Sequence, residues 1–311
     1  MSFTSEIKTE LCKLEPKREC CLKAECYGLW LFSRCFSLKE GAAVTEHGPT
    51  ARRMLELAAA GAGVSAELNY AVSRRKKQAY RVSLPEEAER ERLLAASGHT
   101  GREPSLRINR GALENECCPA AFLRGAFLAC GTATDPQKEY HLEFAVPYKN
   151  LANDLYTLLS EVQAFAVTPA VAARKGAYVV YVKESGQIEN LLTYLGAAAA
   201  SMELMQVKMY KEAKNNINRK TNFETANMDK TYSASARQTA AIAAISDTRG
   251  LDSLPDDLRE LACLRLDNPE MTLRELGEQL KISRSGVNHR LQRILQIGEK
   301  ILEEKGVENI L

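Results

Sequence analysis

The clearest alternation of apolar and polar positions lies between residues 272 and 302. Thr272 and Glu275 have the spacing of a capping box, which predicts that a helix begins there. Ser283 is placed to cap a second helix after a short turn. The pattern therefore predicts a helix, a tight turn and a second helix. The apolar face of the second helix repeats at about 100° per residue and comprises Val287, Leu291, Ile294, Leu295, Gly298 and Leu302.

Gly277 falls in the middle of the first of these helices. A glycine in a helix interior costs about 1 kcal/mol relative to alanine. Its presence here indicates that a second helix approaches closely at this point.

The opposite face of the second helix is polar and basic. From Lys281 to Gly298 there are four Lys or Arg residues and no acid, and short hydrogen-bonding side chains lie between the arginines. Such a face suits base edges and phosphates together, so we predict that it lies in the major groove of DNA. The alternative is a solvated helix hairpin in an ordinary helical domain. The predicted DNA contacts are Ser285, Asn288 and His289 toward bases, Arg284, Arg290 and Arg293 toward phosphates, and Arg274 and Ser283 beside them.

The first two hundred residues contain an internal repeat. Cys20, Cys21 and Gly28 are followed, at one constant separation, by Cys117, Cys118 and Gly125. Further along, Tyr80 and Gly98 correspond to Tyr178 and Gly196, at a separation one residue longer. The pattern indicates one fold that is duplicated, with the two glycine-containing helices packed at a pseudo-two-fold axis.

The sequence pattern of each half predicts the same order of helices and strands, which is typical of an α+β fold. A helix is followed by a strand, a helix, a pair of strands with a basic turn, and a last helix. In the first half these elements are predicted near residues 20–34, 36–45, 50–61, 65–83 and 86–97. In the second half they are predicted near residues 119–130, 138–147, 149–161, 164–184 and 186–196.

Composition and charge limit the kind of protein and of binding site that the chain can form. The 311 residues carry a net charge of only +2, so a nucleic-acid site must come from local basic patches. No stretch approaches about 18 consecutive apolar residues, and the N-terminus lacks the apolar core of a signal peptide. The nine cysteines, an odd number, favour reduced thiols. We therefore expect a cytoplasmic, nucleoid-associated protein without a membrane partner.

One stretch of the second repeat resembles the central helix of LAGLIDADG homing endonucleases. It runs from Leu123 to Gly131 as LRGAFLACG, and residues 26–34 resemble a weaker copy. In active members of that class, an acid at the eighth position of each helix binds a divalent metal. Ser33 and Cys130 stand at those positions, and neither is a hard oxygen anion. Asp135 lies past the expected end of the helix. The resemblance thus predicts a saddle-shaped domain that is catalytically inactive.

The whole chain resembles the WhiA family. Three stretches carry the resemblance, namely FLRGAFLACGTATDP, NRKTNFETANMDKT (218–231) and SRSGVNHRL (283–291). It implies two LAGLIDADG-like repeats at residues 1–100 and 101–200, a helical linker at 201–250 and, at 251–311, an all-α helix-turn-helix domain similar to region 4 of sigma factors. It also implies transcriptional regulation in sporulation, cell division or chromosome segregation.

Two further basic segments are candidate DNA contacts. In the linker, the residues predicted to touch phosphate or orient the two lobes are Arg219, Lys220, Asn222 and Lys230, and a solvated linker with asparagines in its turns is the alternative. The densest cluster comprises Arg74, Arg75, Lys76, Lys77 and Arg81, which would neutralise phosphates from a hairpin of the saddle. A solvated hairpin tip is the alternative there.

No metal or cofactor site is predicted. Cys12, Cys20, Cys21 and Cys26 are close in sequence, but adjacent thiols are awkward ligands for one tetrahedral ion, and no C-x-x-C or nearby histidine supports such a site. Small buried apolar residues at each helix start explain the duplicated pair better. No Ser/His/Asp group, phosphate loop or dinucleotide fingerprint is present.

The sequence therefore predicts a non-enzymatic regulator that binds double-stranded DNA. Two alternatives stay open. One is a divergent metal-dependent endonuclease that uses other acids. The other is an adaptor whose saddle holds a protein such as a sigma factor or a division protein.

Overall fold

The chain folds as two compact units, Met1–Glu212 and Ala213–Leu311. The structure is a computed structural model that describes residues 2–72, 78–162, 166–174 and 176–304. No helix in these ranges is both long enough and apolar enough to cross a membrane.

The first half of the N-terminal unit has a three-stranded antiparallel sheet in the order β1-β3-β2. Tyr80 of the central strand lies opposite Thr45 on one side and Tyr70 on the other. The elements are α1 (Phe3–Cys12), α2 (Glu19–Leu31), β1 (Ala42–Thr45), α3 (Gly48–Leu57) with a π-helical turn (Ala58–Ala62), β2 (Glu67–Val72), β3 (Gln78–Ser83) and α4 (Glu87–Ala96).

The second half repeats this arrangement with one more strand, in a four-stranded antiparallel sheet of order β4-β5-β7-β6. Its last helix ends, like that of the first half, at a glycine in the left-handed region, with φ of 98° at Gly196 and 72° at Gly98. The elements are a 3₁₀ turn (Arg110–Leu113), α5 (Cys118–Cys130), β4 (Gly131–Ala133), β5 (Leu142–Val146), α6 (Lys149–Glu161), β6 (Ala170–Arg174), β7 (Ala177–Val182) and α7 (Ser185–Leu195).

The duplicated order of elements predicted from the sequence is confirmed. Two elements were missed. Helix α1 buries Phe3, Ile7 and Leu11 at helical spacing, and the three-residue strand β4 is too short to produce a periodic signal.

The centre of this unit is the contact between α2 and α5, where two glycines remove side chains from the interface. A Cβ atom at Gly28 would lie 2.1 Å from the carbonyl oxygen of Phe122, and one at Gly125 would lie 2.2 Å from that of Glu25. The two backbones therefore touch directly, as the duplicated glycines predicted.

A buried ion cluster lies beside this contact. Glu25 is fully buried, and its carboxylate accepts a hydrogen bond from Arg53 Nε at 3.0 Å. Arg124 Nε lies 3.2 Å from the second carboxylate oxygen. Burial raises the pKa of Glu25, while the hydrogen bond from Arg53 and the positive charges of both arginines lower it. Arg53 also donates to the Leu14 carbonyl oxygen at 2.8 Å, so the cluster fixes the loop after α1.

Helix α8 (Ala198–Arg249) begins in the N-terminal unit. The carboxylate of Glu10 accepts the backbone N–H groups of Ala199 and Ala200 at 2.7 and 3.1 Å, which stabilises the helix N-terminus. The chain is helical throughout the polar linker segment, so the alternative that places asparagines of this segment in turns is wrong.

The C-terminal unit contains the end of α8, a 3₁₀ turn (Leu251–Ser253), α9 (Asp256–Asp267), α10 (Leu273–Gln279) and α11 (Arg284–Glu304). The predicted apolar face of α11 packs in its core. The buried core residues are Ile242, Ala244, Ile245, Leu254, Leu258, Leu261, Ala262, Leu276, Val287, Leu291, Ile294 and Ile301.

We expect Gly125→Ala to lower the free energy of unfolding of the N-terminal unit by about 1–3 kcal/mol, because the new methyl group meets a backbone carbonyl that cannot move aside. Urea unfolding curves measure the change. Gly186→Ala in α7 is the matched control, since its Cβ meets only the flexible end of Glu184 at 3.2 Å. Equal stability of the two variants would contradict the close contact.

Candidate nucleic-acid interface

Helix α10 begins with the predicted capping box. The Thr272 hydroxyl accepts the N–H of Glu275 at 3.3 Å, and the Glu275 carboxylate accepts the N–H of Thr272 at 2.7 Å. This backbone hydrogen bond, with that from the Thr272 side chain, lowers the pKa of Glu275. The carboxylate is therefore charged at neutral pH and the cap stays formed.

The turn after α10 depends on Gly277. A Cβ atom there would lie 2.6 Å from the carbonyl oxygen of Ile282 and 3.4 Å from the Val287 side chain. The close neighbour is thus the turn itself rather than the body of the second helix. Lys281 adopts a left-handed φ of 53° within this turn. The Ser283 hydroxyl then accepts the N–H of Gly286 at 3.1 Å and caps α11 as predicted.

A buried arginine that the sequence did not single out holds the loop before α10. Arg265 is 2% exposed, and its Nη1 donates to the carbonyl oxygens of Met271 at 2.6 Å and Pro269 at 3.3 Å. Burial lowers its pKa. Arg265 therefore fixes the position from which α10 and α11 start.

The predicted polar face of α11 is open to solvent. Its exposed members are Ser283, Arg284, Ser285, Asn288, His289, Gln292 and Arg293. Arg290 differs, because it is half-buried and its Nε lies 3.4 Å from a carboxylate oxygen of Asp257. Arg274 is exposed on α10 and pairs with Glu278 at 3.0 Å. Within the described residues, no acid pairs with Arg284 or Arg293.

Part of this face lines a groove of about 640 Å³ within the C-terminal unit. Asn227, Lys230 and Thr231 of α8 lie on one side, and Arg284 and Asn288 of α11 lie on the other. Arg237, Arg265 and Arg274 also line it, of which Arg237 pairs with Glu299 and Arg274 with Glu278, each at 3.0 Å. No Asp or Glu is among the described residues that line it. The groove thus joins two stretches that carry the resemblance to a regulator, and its charge suits a polyanion. Arg219 and Lys220, also exposed on α8, do not line it.

Within the described residues, the sheets of the N-terminal unit offer a weaker basic surface. The predicted cluster Arg74–Lys77 lies outside the described residues. Arg81 is exposed on β3 opposite Asn69. In the second sheet, Glu143 lies 2.9 Å from His141 and 3.7 Å from Arg174, which offsets part of the positive charge.

Neither position of the endonuclease metal acids carries a carboxylate. Ser33 is buried and donates its hydroxyl to the carbonyl oxygen of Trp30 at 2.6 Å. The Cys130 thiol lies 3.3 Å from the Ala126 carbonyl oxygen, and burial raises its pKa to about 12. The Asp135 carboxylate accepts the N–H of Gln137 at 2.8 Å in the loop after β4.

The cysteine pairs are not uniformly buried, so their interpretation as small core residues is wrong in part. Cys118 is buried, but Cys20, Cys21 and Cys117 are partly exposed. The sulfur atoms of Cys20 and Cys117 lie 3.7 Å apart. Sequence reasoning grouped Cys20 with its neighbours along the chain and missed this contact between the repeats.

The two units define a protein that combines a LAGLIDADG-like domain with a helix-turn-helix domain. Residues 119–214 match the family described as "WhiA LAGLIDADG-like domain", and residues 217–298 match "WhiA C-terminal HTH domain". A relative from Alkaliphilus metalliredigens, named "Probable cell division protein WhiA", is 38% identical over 96% of this chain and 98% of its own length. One of the same name from Bacillus cytotoxicus is 38% identical over 97% of each chain. The chain belongs to the WhiA family.

A solved structure supports the same fold. The crystal structure of full-length DUF199/WhiA from Thermotoga maritima aligns with a TM-score of 0.59 over 96% of this chain and 99% of that chain, at 24% identity. At 24% sequence identity, this similarity shows a shared fold.

Proposed function

We propose that this chain is a regulator of transcription that binds double-stranded DNA through its C-terminal unit. The observation that carries the proposal is the basic, acid-free groove between α8 and α11, with Asn288 and Arg284 on its wall. Cationic side chains neutralise phosphates, and the amide of an asparagine can bond an adenine edge through both of its polar groups. Both the phosphate contacts and the adenine contact can form with the C-terminal unit folded as described.

The cellular role follows from the family. Relatives are named cell division proteins, and we extend this role to the present chain, together with sporulation or chromosome segregation. The protein then acts in the cytoplasm on the nucleoid. A sigma factor or another regulator is the partner expected for a DNA-bound activator.

The LAGLIDADG-like domain is proposed to be catalytically inactive. Support comes from Ser33 and Cys130 at the metal positions, where a hydroxyl bonded to a carbonyl and a protonated thiol replace two carboxylates. The buried Glu25 is no substitute, because both of its oxygens face arginines.

Residue roles follow from exposure and ion pairing. Asn288 and Ser285 are assigned to bases, with His289 beside them, and Arg284 and Arg293 are assigned to phosphates. Arg290 is reassigned to the fold, because its pairing with Asp257 competes with a phosphate contact. Arg274, Ser283, Arg219 and Lys220 stay proposed backbone contacts on exposed positions.

We expect Asn288→Ala to weaken binding to the target site by about 1–3 kcal/mol, because a bidentate base contact is lost. The target is obtained by selecting a random duplex library with the intact protein, and affinity is measured by fluorescence anisotropy. Binding to unrelated duplexes should be unchanged. Equal losses on target and unrelated DNA would contradict the role of Asn288 in base recognition.

We expect Arg293→Ala to weaken binding to all duplexes alike and to lower the slope of log affinity against log salt by about one. Arg259→Ala is the matched control, since Arg259 is a surface arginine of α9 that pairs with Asp256 at 2.7 Å. A salt slope that is the same for both variants and the intact protein would show that Arg293 makes no phosphate contact.

We expect supercoiled plasmid to stay intact after incubation with the protein and Mg²⁺ or Mn²⁺, because Ser33 and Cys130 stand where the two metal-binding carboxylates would be. Agarose gels detect nicking. Metal-dependent nicking that persists at constant specific activity through purification would favour the divergent endonuclease and overturn the proposed inactivity.

A further inference from the structure

The duplicated cysteine pairs meet where α2 and α5 begin. Cys20 and Cys21 lie in the first turn of α2, Cys117 precedes α5, and Cys118 is its first residue. The sulfur atoms of Cys20, Cys117 and Cys118 all lie within 4.8 Å of one another. Among the described residues, this is the one group of three or more His, Cys, Asp or Glu side chains close enough to share a metal ion. Cys21 lies outside this group, and its thiol is directed at the Cys117 carbonyl oxygen at 3.7 Å.

The spacing between Cys20 and Cys117 matches two ligands of one tetrahedral ion. Zn–S bonds of about 2.3 Å at tetrahedral angles place ligand sulfurs about 3.8 Å apart. The distance from Cys20 Sγ to Cys117 Sγ is 3.7 Å. A disulfide has an S–S bond of about 2.05 Å and would need only two of the cysteines. The set spans two helices, with Cys117 and Cys118 adjacent in sequence and Cys20 contributed by the other repeat.

The surroundings of Cys117 supply positive charge. Cys20 and Cys21 lie in the first turn of α2, and Cys117 and Cys118 lie at the start of α5, where a helix carries partial positive charge. Arg18 Nη1 lies 3.7 Å from Cys117 Sγ. Partial exposure of Cys20, Cys21 and Cys117 leaves a route for an ion.

We propose that Cys20, Cys117 and Cys118 bind one Zn²⁺ ion that links the two repeats, and that Cys21 turns its thiol away from the Cys117 carbonyl to become the fourth ligand. Each bound thiol releases its proton to solvent as its Zn–S bond forms, and no oxidation is involved. A set made only of sulfur selects a soft or borderline ion and disfavours Mg²⁺ and Ca²⁺. The site is distinct from the endonuclease metal positions, which lie at the opposite ends of the same two helices.

The experiment uses the full-length protein, purified under reducing, anaerobic conditions and stripped with a chelator. Zn²⁺ binding is measured by calorimetry, and the Co²⁺-substituted protein is examined for the absorption bands of tetrahedral cobalt thiolate. The variants are Cys20→Ser and Cys117→Ser. Cys263→Ser is the matched control, because Cys263 is exposed on α9 in the other unit.

The expected result is one Zn²⁺ per chain, with a cobalt–thiolate spectrum, in the intact protein and in Cys263→Ser. Loss of an outer-shell partner alone typically costs about 10–100-fold in affinity, so each ligand variant should bind at least about tenfold more weakly. Zn²⁺ should also raise the melting temperature of the intact protein and of Cys263→Ser more than that of the ligand variants. Equal metal-free melting temperatures would show that the variants fold.

Three outcomes would overturn the proposal. First, the intact protein could fail to bind stoichiometric Zn²⁺. Second, Cys117→Ser could bind Zn²⁺ as tightly as Cys263→Ser does. Third, peptide mapping could find a Cys20–Cys117 disulfide in a protein that does not bind Zn²⁺. The last outcome would assign the cluster to redox chemistry.

Discussion

Direct backbone contact between α2 and α5 is the constraint on which the N-terminal unit depends. Gly28 and Gly125 each face a carbonyl oxygen of the other helix at a distance that no Cβ could occupy. Because this contact fixes the two helices side by side, it also sets where each sheet starts and brings the cysteine pairs together at the helix N-termini. One interaction between small residues thereby organises elements that are far apart in sequence.

The carboxylate of Glu25 is buried by this close packing, so its charge needs partners within the protein. A charge without a partner in this interior would cost several kcal/mol. Arg53 from the first repeat and Arg124 from the second lie against opposite oxygens of the carboxylate. The repeats are therefore joined by charge as well as by shape, and the one acid buried at this interface is committed to structure.

The sequence predicted features that depend on local spacing and missed those that depend on distant contacts. The capping box at Thr272, the apolar face of α11 and the duplicated order of elements follow from periodicities within short windows. The thiol cluster and the groove between α8 and α11 do not, because they join residues far apart in the chain. Ala241, Ile242, Ala244 and Ile245 form the buried apolar face near the end of α8, and the polar segment before them continues as helix where turns were an alternative.

The proposed function depends on recognition of DNA sequence by the groove of the C-terminal unit. The end of α8 supplies Ile242 and Ile245 to the core of this unit. Truncating the chain after α8 would expose this core, so substitution of exposed groove residues is the better test. The most direct measurement is genome-wide DNA occupancy of the intact protein and of an Arg284→Ala, Asn288→Ala double variant at equal abundance. If the groove recognises the sequence, discrete peaks are found with the intact protein and disappear in the variant. Peaks that persist at the same positions would contradict recognition by the groove and would place recognition in the N-terminal unit or in a bound partner.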